Sequence, residues 1–156
     1  MNKSPLNPMP EIPVGQHDGA FGFTRKHDVH TGVDLYCNPF DKVYSIEKGV
    51  VVAIIDFTGS KADSPWWNDT RAILIEGNSG VVVYGEVKER EGLKVGDNVE
   101  CGEMIGEVIT VLQKDKGKPM TMLHMELYKH GTKDVVWWKL GKEKPASLLD
   151  PTKILK

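Results

Sequence analysis

Three positions in the chain combine residue types that bind a divalent metal with a spacing that can close around one. The first two lie in "RKHDVHTGVDLYC", where His30 and Asp34 flank Gly32. Along a straight strand four residues span about 13 Å, far too much for two side chains sharing an ion whose ligand bonds are near 2 Å. The chain must therefore bend, and Gly32, without a Cβ to forbid positive φ, is expected to allow it. The third position is His124 in "TMLHMELY". Successive side chains of an extended segment point to opposite faces. Thr121, Leu123, Met125 and Leu127 thus read as a core side, and Met122, His124, Glu126 and Tyr128 as the other. Two imidazoles and one carboxylate leave the fourth position of a tetrahedral ion open for water, which is a catalytic rather than a structural composition. The same set also accepts divalent ions other than zinc. A competing reading makes His124 a hydrogen-bonded structural histidine and the HxxxD spacing a coincidence, with His17 and His27 as alternative imidazoles.

The elements that must position these residues read as strands. "HTGVDLYC", "KVYSIEKGVVVAIIDF", "RAILIEG", "GVVVYGEVK", "EMIGEVITVL" and "TMLHMELY" are rich in β-branched or aromatic residues and bounded by Gly, Asn, Asp or Pro. No segment carries a convincing amphipathic helix of three turns. Asn78 to Gly80 should form a tight hairpin turn. "TGSKADSPWWND" is a long loop, a length uncommon in compact domains unless the loop has a task; its Trp66 and Trp67 either line a groove or cap the core edge. "ASLLDPTKIL" should dock the C-terminus. Residues 1–20, with four prolines in the first fifteen, read as an extended arm, and residues 21–156 as a single mainly β domain.

Composition bounds the function. A chain of 156 residues is large enough to bury a core, and 40% hydrophobic with 27% charged residues is ordinary for a globular protein. The net charge of −2, without a long basic run, argues against nucleic acid or an anionic membrane as partner. No apolar run approaches membrane-spanning length. The start, "MNKSPLNPMPEIPVG", lacks the apolar stretch of a secretory signal, so cytoplasmic placement is the default and the cell envelope the alternative if a leader has been removed or another export route is used. Cys37 and Cys101 lack CxxC spacing; reduced packing thiols are expected, although one disulfide is arithmetically allowed.

Taken in order, "HTGVDL", "KVYSIEKGVVVAI", "GVVVYGEVK", "LKVGDNVECGEMIGEV" and "LHMELY" resemble the lysostaphin/LytM-type zinc metallopeptidases that cut peptide cross-links in peptidoglycan. The resemblance covers Phe21 to Tyr128, with a looser echo in "LLDP". It implies a mainly antiparallel, β-sandwich-like sheet with a groove, and a zinc ion held by His30, Asp34 and His124. Two positions depart from the pattern. Members of that family usually carry a histidine where this chain has Glu86 and another where it has Met122. Glu86 can accept a proton from a metal-activated water, can instead serve as a fourth ligand, or can be a solvated strand carboxylate. Met122 can neither accept nor donate. By parity Tyr84 shares a face with Glu86, and Tyr128 with His124, so either phenol can donate to an oxyanion or pack at the groove edge. Glu126 either orients a ligand imidazole or is a surface charge.

Two functions follow as expectations: a zinc hydrolase acting on peptidoglycan or a glycine-rich peptide with Glu86 as base, or a non-catalytic binding or regulatory module on the same fold. The glycine-rich turns also resemble those of lipoyl- and biotinyl-carrier domains. Lys48 lacks the context of a modified lysine, so Gly96, Gly102 and Gly106 are better read as marking changes of strand direction.

Overall fold

A computed structural model describes residues 3–113 and 121–155. Among the described residues nine strands form one antiparallel sheet: β1 (Val33–Tyr36), β2 (Lys42–Tyr44), β3 (Gly49–Thr58), β4 (Thr70–Gly77), β5 (Gly80–Glu89), β6 (Asn98–Val99), β7 (Met104–Val108), β8 (Met122–Tyr128) and β9 (Leu148–Leu149). The main path runs β1-β8-β5-β4-β3-β6, β2 pairs with β7, and β9 adds to β8. The mainly β, antiparallel expectation is borne out. The long run from Lys42 to Phe57 divides into β2 and β3, which pair with different partners. Between them Ser45 and Glu47 are buried, the Ser45 hydroxyl donating to the Glu47 carbonyl and the Glu47 carboxylate accepting from Ser79.

Strand β5 is the pivot. Residues Val81 to Gly85 pair with β8, whereas Val87 to Glu89 pair with β7. The β2–β7 pair branches off here, and its Val43, Ile105 and Val108 enter one apolar cluster with Val33, Leu35, Ile73, Tyr84 and Met125 of the main path. A second cluster on the opposite face joins Leu74, Val83, Tyr128 and Leu148, with Phe21, Phe57 and Trp138 packed against it. Leu123, Met125 and Leu127 lie in the first cluster, as the alternation of β8 predicts.

Among its described residues the arm contains neither helix nor strand. Leu6 is buried in the first cluster with Met9 and Ile12 beside it, and the backbone is tied down by Lys3 N–H to the Ile46 carbonyl and Tyr44 N–H to the Pro5 carbonyl. At the other end Leu148 is buried, and Asp150 caps a short 3-10 turn, Pro151–Ile154, by accepting from Thr152 N–H at 2.9 Å. No described helix is long and apolar enough to cross a membrane. Cys37 and Cys101 are both thiols; burial and the nearby Asp41 push the Cys37 thiol up to about 11.

Candidate metal centre

His30, Asp34 and His124 meet on the side of the sheet facing a groove of about 910 Å³. Asp34 and His124 stand directly opposite each other in β1 and β8. His30 precedes β1 and reaches the same point because its backbone turns back onto Phe23, bonding N–H to carbonyl at 2.9 Å. Gly32 works differently from the sequence expectation, because its φ does not lie in the left-handed region. What it provides is clearance: a Cβ there would fall on the Met125 carbonyl oxygen and within 2.9 Å of the His124 ring and the Glu126 side chain. Gly85, across from His124 on β5, makes similar room for Phe57, whose ring lies 5.6 Å from the imidazole.

Three atoms converge. His30 Nε2 is 3.3 Å from His124 Nδ1 and 3.3 Å from Asp34 Oδ1, and His124 Nδ1 is 2.8 Å from Asp34 Oδ1. A tetrahedral ion with ligand bonds of about 2.0–2.1 Å holds its ligand atoms about 3.3 Å apart, so this triangle matches one face of such a tetrahedron with one edge slightly tight. The remaining ring nitrogens have partners that set the tautomers. His30 Nδ1 lies 3.0 Å from the Ala20 carbonyl oxygen, and His124 Nε2 lies 2.7 Å from Glu126 Oε2. An N–H on each of these nitrogens leaves a lone pair on His30 Nε2 and on His124 Nδ1, both aimed at the common point. Glu126 is itself held, accepting from the Thr31 hydroxyl at 2.8 Å and from the Tyr128 hydroxyl at 2.5 Å. Carboxylates fixed behind a histidine in this way raise its basicity as a ligand. The three residues are 5%, 5% and 6% exposed, so their charges are poorly shielded by water.

The electrostatics agree with a site built for positive charge. Burial disfavours a charged ring at His124, yet hydrogen bonds to Asp34 and Glu126 raise its pKa well above the usual histidine value. Burial likewise opposes ionisation of Asp34, but the hydrogen bonds and charges of His124 and His30 hold its carboxyl well below the usual range.

Glu86 lines the same groove. Parity along β5 would put it on the Tyr84 side, but the register slips between β4 and β5: Tyr84 pairs with Ile73 while Val87 pairs with Arg71, leaving one extra residue on β5. Glu86 adopts φ 63° in this bulge, an unfavoured conformation for a residue with a Cβ, and its carbonyl accepts from Ile109 N–H. The bulge sits where β5 changes partner from β8 to β7, and turns the Glu86 side chain toward the groove. Burial first, opposed by the charge of His124 and reinforced by that of Asp34, pushes the Glu86 carboxyl up to about 8.

Two expected groove phenols are corrected. Tyr84 is fully buried in the first apolar cluster, and its hydroxyl accepts from Ile46 N–H at 3.0 Å. Tyr128 is also buried; its hydrogen goes to Glu126, and its oxygen accepts from Val136 N–H at 3.0 Å. Tyr84 faces the apolar core and Tyr128 spends its hydrogen on Glu126, so neither presents a donor to a substrate. The sequence reading missed Tyr36, which extends from β1 on the Asp34 side and lines a second stretch of groove with Asp34, Arg25 and Met122. Burial and the charges of Asp34 and Asp18 raise its phenol above the ordinary tyrosine value. Its signal was available in "VDLY": Val33 and Leu35 are core, so Asp34 and Tyr36 share the other face. Of the two loop tryptophans, Trp67 lines the groove and Trp66 is 61% exposed, packed edge-on against it at 6.0 Å. His17 and His27 stand outside the cluster of three.

This antiparallel sheet has the fold of the lysostaphin-type peptidases. The chain belongs to peptidase family M23, a metal-dependent family whose model matches residues 28–135. No curated protein matches it by sequence. Among solved structures it is similar to the catalytic domain of the antimicrobial peptidase lysostaphin from Staphylococcus simulans, at 20% identity and a TM-score of 0.61, over 99% of this chain and 98% of that one. The catalytic domain of the prophage-encoded M23 protein EnpA from Enterococcus faecalis aligns at 21% identity and a TM-score of 0.52, over 80% of this chain and 83% of that one. A zinc-containing peptidase from Vibrio cholerae aligns at 21% identity and a TM-score of 0.52, over 80% of this chain and 35% of that one. The chain spans only 35% to 50% of the chain length in four such structures, the Vibrio structure included.

Proposed function

We propose that this chain is a zinc-dependent endopeptidase that cleaves peptide cross-links of peptidoglycan, or chemically similar glycine-rich peptides, with His30, Asp34 and His124 holding the metal and Glu86 as general base. The observation that carries this reading is the pairing of a donor triangle of tetrahedral dimensions with a carboxylate turned toward the same groove by a bulge. Zinc held there would polarise a peptide carbonyl and acidify a water molecule.

The chain's own residues supply the rest. Glu86 takes a proton from the attacking water as its oxygen bonds to the carbonyl carbon, and the same proton is available to the leaving amine when the C–N bond breaks. A carboxyl with its pKa lifted toward neutrality is a stronger proton acceptor than an exposed one, which suits it to both transfers. Trp67, Phe57 and Val136 give the groove apolar walls. The substrate assignment rests on the resemblance to peptidoglycan-cutting enzymes, and on this reading the protein acts at the cell envelope.

The second reading, a non-catalytic metal-binding or regulatory module, is favoured by Met122, which lines the groove where relatives usually carry a histidine. Digestion of purified peptidoglycan and of oligoglycine by zinc-loaded wild type and Glu86→Gln separates the two. Release of new amino termini by wild type, lost in the variant with zinc retained, supports the peptidase. Equal release by both ends the role of Glu86 as base, and no release by either favours the module.

A further inference from the structure

Resting on the peptidase reading, we propose that Tyr36 is the oxyanion donor of this groove: its hydroxyl hydrogen-bonds the peptide carbonyl oxygen as that atom gains negative charge, a task for which Met122 has no donor. The sheet register brings the two residues together. Tyr36 is the direct cross-strand partner of Met122, one pair along from Leu35–Leu123 and two along from Asp34–His124. Side chains opposite each other in an antiparallel pair share a face, as do residues two apart along one strand, so Tyr36, Met122, Asp34 and His124 all stand on the groove side.

The phenol also points the right way. The Tyr36 hydroxyl and the Asp34 Cβ lie 3.0 and 3.2 Å from a single point, the position a Cβ on Gly19 would take. The ring therefore leans back along β1 toward Asp34 instead of out into solvent, and the absence of a side chain at Gly19 leaves room for it to do so. The His17 ring packs against it with centroids 5.8 Å apart. Tyr36 and Met122 line a stretch of groove of about 640 Å³ that shares Arg25, Asp34, Leu112 and Met122 with the stretch over the metal centre, so a bound peptide can pass from one to the other.

Availability sets this phenol apart from Tyr84 and Tyr128. Those two are buried with their hydroxyls engaged, whereas the half-buried Tyr36 hydroxyl makes no hydrogen bond with any described residue. Its role needs no proton transfer. The O–H stays intact while the carbonyl π pair moves onto oxygen, and the proton of water goes to Glu86 as described above.

The test compares zinc-loaded wild type and Tyr36→Phe by calorimetry with two probes: an oligoglycine phosphinate, whose tetrahedral P–O oxygens stand in for the oxyanion, and plain oligoglycine. The variant should bind the phosphinate about 10- to 100-fold more weakly and the plain peptide within about 2-fold, with zinc content and circular dichroism unchanged. Where wild type hydrolyses peptide, kcat should fall in the variant and KM should hold. Equal phosphinate affinity in the two proteins, or equal losses for both probes, overturns the assignment even if wild type is an active peptidase. Conversely, a wild type that cleaves nothing but loses its phosphinate preference in Tyr36→Phe overturns the catalytic reading alone and upholds Tyr36 as the oxyanion donor.

Discussion

Asp34 and His124 face each other across adjacent antiparallel strands and meet at 2.8 Å through Oδ1 and Nδ1. Sheet register thus fixes two members of the candidate metal centre, and behind them Glu126 takes the other imidazole nitrogen at 2.7 Å. Glu126→Gln should keep the fold and weaken zinc affinity about 10- to 100-fold, because an amide orients the ring without raising its basicity. Competition against a chromophoric chelator measures this, and unchanged affinity would show that Glu126 plays no part in binding.

Metal loading should fall with acidity across the neutral range. The raised pKa of His124 means that below it a proton holds the Nδ1 site, and a cation must displace that proton. Zinc titrations from pH 8 down to pH 6 should give progressively weaker apparent binding with proton release, and a flat profile would mean that His124 does not bind the metal.

In chelator-treated protein, Glu86 should cost stability at neutral and alkaline pH. Its folded-state pKa of about 8 lies above its ordinary 4.5, so between these values the folded chain binds more protons than the unfolded one and stability declines as pH rises. Glu86→Gln should therefore melt higher than wild type at pH 8, by on the order of 1 kcal/mol, with the gap closing toward pH 5. Parallel pH curves for the two proteins would place the Glu86 carboxylate in free solvent instead.

Gly32→Ala should destabilise the fold by about 1–3 kcal/mol and abolish metal binding together, since the added methyl displaces the Met125 carbonyl and the His124 ring. Thermal melts with and without zinc read both effects, and an alanine variant that still gains stability on adding zinc would show that the clearance is not needed.

Met122→His tests what the groove lacks. If Tyr36 already supplies the donor, a histidine opposite it should leave peptide hydrolysis by an active wild type little changed. A gain of about 100-fold or more, the usual worth of one oxyanion donor, would mean that Tyr36 does not fill that place.

How far the sequence revealed this site depended on whether a residue obeys strand alternation. Leu123, Met125 and Leu127 sit in the core and His124 and Glu126 off it, because β8 is regular and a period of two needs no knowledge of its neighbours. The same arithmetic puts Tyr84 and Glu86 on one face, and the bulge between them breaks it: one extra residue reverses every side chain beyond it, and nothing in "YGEVK" announces where the partner strand will slip. Tyr128 obeys parity, yet its hydroxyl is claimed by Glu126 on its own strand, a matter of side-chain direction that periodicity does not carry. Gly32 stands out in the sequence as a place to bend, yet in the fold it serves as clearance. A sequence shows that a Cβ is absent, but only the position of the neighbouring Met125 carbonyl shows why it must be. Tyr36 was legible in its own strand, while its pairing with Met122 required the β1–β8 register.

X-ray absorption at the zinc edge of the purified, zinc-loaded protein addresses the centre most directly. Two imidazoles and oxygen ligands at about 2.0–2.1 Å, with one imidazole lost in His124→Ala, are the predicted result. A sulfur shell, a spectrum unchanged by the substitution, or a protein that takes up no zinc would contradict it.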